Sequence, residues 1–196
     1  MKTKNITRAQ AGYNLVEVII ALAVFGVVAM TIFTLFVMGR RNVYSGKQAS
    51  QAVAVGTQVI EDIGPLNKRM LYNGAFGIAD TDTGAAVTLP KVSGTSVPTY
   101  ANAKVRSTDP NVMTSPPSDI STQQTGLLTR WAALVPAEKL QEGSVTLVLI
   151  PSQDTAQPQN NPPQFGTAQL LQIRVYVRWT EAAHKREVVL DTVKAF

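Results

Sequence analysis

The chain has 196 residues, an ordinary apolar share of 45% and a low charged share of 16%, enough for one domain or for one domain with an anchor. It holds no cysteine and a single histidine, His184, which excludes a disulfide framework, a cysteine zinc site, a thiol nucleophile and any paired-histidine metal site. The net charge of +5 leans on Lys2, Lys4 and Arg8; without these three, 15 basic residues face 13 acidic ones, a net +2, so basicity does not point to nucleic acid.

After this basic opening comes Leu15 to Met38, 24 residues with Glu17 as their one ionisable side chain. As a helix the run is roughly 36 Å long, enough to cross a hydrocarbon core of about 30 Å. A secretory signal has an apolar core of about 7–15 residues and a small-residue cleavage site, so the length and flanks here favour a transmembrane anchor. Charge does not fix its orientation, because Arg40, Arg41 and Lys47 follow the span as Lys2, Lys4 and Arg8 precede it. The helical period continues beyond the span. Ala49, Ala52, Val53, Gly56, Val59, Ile60 and Ile63 recur at steps of three and four, and Gly64-Pro65 is a stop signal. The pattern predicts one helix from about residue 14 to 63, on the order of 75 Å long. Its half at 13–38 is apolar all round, and its half at 39–63 has one apolar face that needs a partner in the same chain.

The tract from Pro65 to Thr125 is dominated by Gly, Ser, Thr, Asn and Pro and reads as exposed loop. "LLTRWAALVP" around Trp131 fits a strand or a short helix. "SVTLVLIP" reads as a strand ended by Pro151, and the polar run from Pro151 to Gly166 as a loop. In "QLLQIRVYVRWT", Leu171, Ile173, Val175, Val177 and Trp179 alternate with Gln172, Arg174, Tyr176 and Arg178, the period of a half-buried strand. "EAAHKR" then turns into a returning strand, "EVVLDTVKAF". An antiparallel sheet laid across the amphipathic half-helix buries both apolar faces, so the predicted class is α+β, with the head at 64–196.

A basic leader, Gly12, Tyr13, Asn14, Leu15, Val16 and Glu17 stand in that order before the apolar run. This stretch resembles the leader motif of the type IV pilin-like family, commonly a glycine followed by Phe-Thr-Leu-Ile-Glu. The close likeness covers about the first 26 residues; the remainder is similar in architecture. The resemblance implies a leader at 1–12, removed after Gly12 by prepilin peptidase, and N-methylation of the new terminus at Tyr13. It also implies a filament-assembly role for Glu17, whose carboxylate pairs with the freed ammonium of a neighbouring subunit. A charge within a membrane span is a functional-site suspect in its own right. Implied partners are other pilins or pseudopilins, the assembly platform and ATPase machinery, and the bacterial inner membrane. The ending "VYVRW…REVVLDT" is similar to minor pilins and to minor pseudopilins of type II secretion. Tyr13 and Asn14 replace the commoner phenylalanine and threonine, and Thr34 stands where many major pilins have proline.

Other candidates carry a plainer reading. "DTDTG", Asp80 to Gly84, has the opening rhythm of a calcium loop but not its later ligands, and reads as a polar turn. Arg174, Arg178, Lys185 and Arg186 are a candidate basic face for DNA, weighed against edge charges that prevent strand aggregation. His184 is expected in an exposed turn, and Trp131 and Trp179 in the core. No nucleophile, base and oxyanion site come together, so neither an enzyme nor a cofactor is predicted. The reading of another class is an unprocessed, membrane-anchored periplasmic binding module.

Overall fold

The computed structural model describes residues 14–90, 92, 98–109, 112, 122–152 and 164–196. One helix, α1, runs from Leu15 to Ile63. It begins where the amides of Glu17 and Val18 turn back onto the Asn14 carbonyl. It ends where Gly64 donates to the Ile60 carbonyl, with Pro65 next in line. Proline has no N–H to continue the ladder and pushes the preceding residue out of helical geometry. The bounds agree with those predicted from period and stop signal. The chain divides into two units, Met1–Tyr44 and Ser45–Phe196.

The second unit holds a five-stranded antiparallel sheet whose strands neighbour one another in chain order. These are β1 (Ala85–Thr88), β2 (Thr99–Ser107), β3 (Ser144–Ser152), β4 (Leu170–Glu181) and β5 (His184–Ala195). The architecture is α+β: a long N-terminal helix whose C-terminal half packs on an antiparallel sheet, the arrangement of a pilin-like fold. Leu171, Ile173, Val175, Val177 and Trp179 of β4 are all buried, as their period of two predicts. They share one core with Ala52, Val55, Val59 and Ile63 of α1. Gly56 permits the close approach. A Cβ there would lie 2.4 Å from Leu190 Cδ1 and 3.4 Å from Val177 Cγ2.

The buried stripe of α1 differs from the predicted one by a phase. Val53 is 44% exposed, whereas Val55 is buried and the face begins with Gln48. Consecutive helical positions differ by about 100° in direction, so Val53 points away from the sheet that its neighbour Ala52 touches. α2 (Thr122–Ala137) settles the ambiguous segment as a helix. Its Trp131 is fully buried and donates from Nε1 to Asp62 Oδ2 at 3.0 Å, while Arg130 pairs with Asp62 Oδ1 at 3.1 Å. Both tryptophans are core residues, as expected.

Within the tract from Pro65 to Thr125, the described residues include elements that composition does not predict. A π-helical turn at Met70–Phe76 places Leu71, Tyr72, Ala75 and Phe76 in the core, and β1 and β2 follow. β2 conceals its burial because several of its buried polar groups find partners inside the fold. Arg106 donates to the Phe76 carbonyl at 2.5 Å and to the Val105 carbonyl at 2.9 Å, and Ser107 shares a hydrogen bond with Thr146. Burial with carbonyl partners alone lowers the Arg106 pKa, against an opposing pull from Asp82. Pro151 lies inside β3 and does not end it. The β2 register stops at Lys104↔Leu149, so Pro151 sits where β3 has a neighbour on one side only and no ladder bond is lost.

Two backbone features shape the ends of the sheet. The β4–β5 turn is the pair Ala182-Ala183, both at positive φ (46° and 67°), the geometry that matches strand twist in a two-residue hairpin. At the other edge, Gly84 lies against β2, where a Cβ would come within 2.1 Å of the Asn102 backbone carbon. Gly84→Ala is therefore expected to cost about 2–3 kcal/mol, because backbone must move to admit the methyl. Urea unfolding and hydrogen exchange check this, with β1 amides losing protection first; an unchanged midpoint would contradict the close packing.

Candidate functional site: the apolar half of the N-terminal helix

Val and Ile are frequent between Leu15 and Met38, and β-branched side chains are mediocre helix formers in water. In hydrocarbon the balance changes, because a helix satisfies every backbone group within one segment. From Leu15 to Tyr44 every residue of α1 is exposed. The most apolar window has a mean hydropathy of 2.7 and no buried residue. The segment is long and apolar enough to serve as a membrane anchor. Its hydroxyls are quenched locally: Thr31 donates to the Val27 carbonyl and Thr34 to the Met30 carbonyl, each at 2.9 Å. At Thr34 the helix therefore keeps a full ladder where a proline would remove a bond.

Glu17 lies in the first turn of α1, where the helix macrodipole favours a negative charge. Among the described residues it forms no ion pair. Gly12 and Tyr13, the predicted cleavage and methylation positions, lie outside the described residues.

The remaining candidates have other partners. Asp82 accepts from the Ala79 amide at 3.3 Å and pairs with Lys104 at 3.1 Å, and the Asp80 carbonyl accepts from the Gly166 amide at 2.8 Å. The acidic turn thus ties β2 and the segment before β4 together. Among the described residues no group of three or more His, Asp or Glu is placed to hold a metal. His184 is exposed at the first position of β5.

The four basic residues of the hairpin do not form one face. In the β4–β5 register Arg174 stands opposite Asp191, Arg178 opposite Glu187 and Arg186 opposite Trp179, so Arg186 shares the face of the core tryptophan. Three of the four are neutralised: Arg174 by Asp191 at 3.0 Å, Arg178 by Glu187 at 3.2 Å and Arg186 by Glu181 at 3.2 Å. Only Lys185 stays unpaired among the described ion pairs. A second small core, with Leu89, Ala103, Val148 and Tyr176, covers the back of the sheet. There the Tyr100 and Tyr176 hydroxyls bond each other, and Arg174 donates to Tyr100 at 3.3 Å. Burial, then the Tyr100 hydroxyl, raises the Tyr176 pKa above its ordinary value. Burial also pushes Tyr72 up to about 12, with Asp80 adding to it. These rings are packed, so they offer no stacking platform to bases.

Sequence reasoning found the long apolar helix and missed the Asp62–Trp131 link and the Tyr100–Tyr176 contact. Each joins segments far apart in the chain, and no local period marks them. Comparison with family models, with curated proteins and with solved structures gives no match.

Proposed function

We propose that this chain is a minor type IV pilin-like subunit, made as a precursor and assembled through the apolar half of α1 into a pilus or its initiating complex. The observation that carries the reading is the Gly12-to-Glu17 stretch set directly before an exposed apolar helix, continuous with a helix half that packs on an antiparallel sheet. The leader at 1–12 stays cytoplasmic, and the head lies outside the inner membrane. Prepilin peptidase cuts after Gly12 and Tyr13 becomes the methylated terminus. Glu17 then sits about one helical turn from the terminal ammonium.

In a bundle of such helices the Glu17 carboxylate meets the terminal ammonium of a neighbour. Either charge alone in hydrocarbon is costly, and the pair relieves both. One stagger alone brings the two together, so the pair also sets axial register. With Thr34 in place of proline the span has no missing ladder donor there, which favours a minor over a major subunit. A minor pseudopilin of type II secretion has the same physical requirements and differs in the machine served.

Intact mass of the membrane-extracted protein is the test. The expected product begins at Tyr13 and carries one added methyl. A product that retains residues 1–12 overturns the proposal and leaves the unprocessed anchored binding module in its place.

A further inference from the structure

The two edges of the sheet are built differently. β1 has four residues and a register shift between Ala85 and Val87, and short or bulged strands are the usual protection against unwanted pairing. β5 has twelve residues in unbroken register with β4, no proline and no bulge. Charges are the other common protection, yet those of β5 are engaged within the chain. Arg186 pairs with Glu181, Glu187 with Arg178 and Asp191 with Arg174, while Lys194 donates to the Gly64 carbonyl at 2.6 Å. Lys185 remains. Val189 and Val193 lie exposed on the same face as Lys185, four and eight residues along. Beside the far end of β5 runs a groove of about 290 Å³ lined by Ile60, Ile63, Ile173 and the backbone run Thr192–Ala195.

We infer that β5 is a docking edge that accepts an extended strand from a different protein. The hairpin closes on Glu181↔His184 through a two-residue turn, so the even-numbered amides of β5 face β4. The odd-numbered amides, from Lys185 to Ala195, face outward and are the ones an added strand bonds. Opposite them the occupant places an acid at Lys185 and apolar residues at Val189 and Val193, a pattern of two apolar positions four apart with an acid four further on. A second copy does not supply it. In antiparallel self-pairing, the register that sets Asp191 against Lys185 sets Glu187 against Val189, and the register that sets Val189 against Val189 sets Glu187 against Asp191. Like charges directly opposite repel. The inference concerns the head and holds whether or not the chain is processed at Gly12.

The test uses the full-length protein in detergent micelles and the capped peptide Ac-TVTKTVTTTET-NH2, run antiparallel so that its glutamate meets Lys185 and its valines meet Val193 and Val189. Hydrogen exchange of the amides is read with and without peptide. Protection is expected to rise at least about tenfold at Lys185, Val189 and Val193, with Arg186, Val188 and Leu190 unchanged. Lys185→Glu is expected to abolish the effect, and a peptide with lysine in place of glutamate to restore it. Val189→Pro removes an outward amide and blocks binding without touching the β4 ladder. Uniform protection along β5, none at all, or peptide-independent doubling of the protein mass through β5 would each overturn the inference.

Discussion

If the chain is the filament subunit proposed above, Glu17→Ala is expected to yield a normally cleaved subunit whose incorporation into filaments falls by roughly a hundredfold, because the neighbour's terminal ammonium would then be unpaired in an apolar bundle. The variant chain still contains Gly12 and Tyr13, so intact mass should again give a product starting at Tyr13. Glu17→Gln separates charge from shape: it keeps the length and polarity of the side chain and should fail nearly as badly as alanine. The head is not involved, so thermal unfolding of both variants should match that of the parent. The measurement is the share of subunit recovered in sheared surface filaments against that left in the membrane. Normal incorporation of Glu17→Ala would show that apolar packing alone sets register.

The second large effect is expected in the head. Trp131→Ala should destabilise it by about 3–5 kcal/mol, since it empties a fully buried indole site. At about 2–4 °C per kcal/mol, the melting temperature should drop by about 6–20 °C. The loss has two parts that Trp131→Phe divides. Phenylalanine keeps most of the volume beside Phe76, whose ring lies 6.3 Å away, but it removes the Nε1–H that Asp62 accepts. Its cost should be about 1–3 kcal/mol, the penalty for a buried acceptor that loses a donor. Near-ultraviolet circular dichroism in detergent follows both variants. Equal stability of Trp131→Ala and the parent would mean that α2 does not hold α1 through Asp62.

These expectations draw on different kinds of information. The long apolar segment, the single helix to Ile63, the hairpin and the inward set of β4 are legible from residue order, because each is a periodic property of one continuous segment. Glu17 is legible for the same reason: it is an isolated charge in a run of apolar neighbours. The reading of Pro65 to Thr125 as loop fails where polarity and exposure part company. Arg106, Ser107 and Thr146 are polar and buried, each bonded to groups remote in sequence. Composition registers their polarity and is blind to their partners. The misphased Val53 has a similar origin, since a helix with apolar residues on several sides does not declare which side a sheet will take.

By itself, then, the sequence determined that a bilayer-length apolar helix carries one acid near its start and continues into a helix with a face to bury. It also determined that a paired set of alternating strands closes the chain. Tertiary structure decided which charges are paired, since pairing depends on strand register: Arg186 falls on the tryptophan face, and of Arg174, Arg178, Lys185 and Arg186 only Lys185 has no ion pair among the described residues. It also decided that β5 is the long, regular edge of the sheet and β1 the short, irregular one. That asymmetry arises from strand length, bulge and the internal engagement of charges, all of which exist only once distant segments lie side by side.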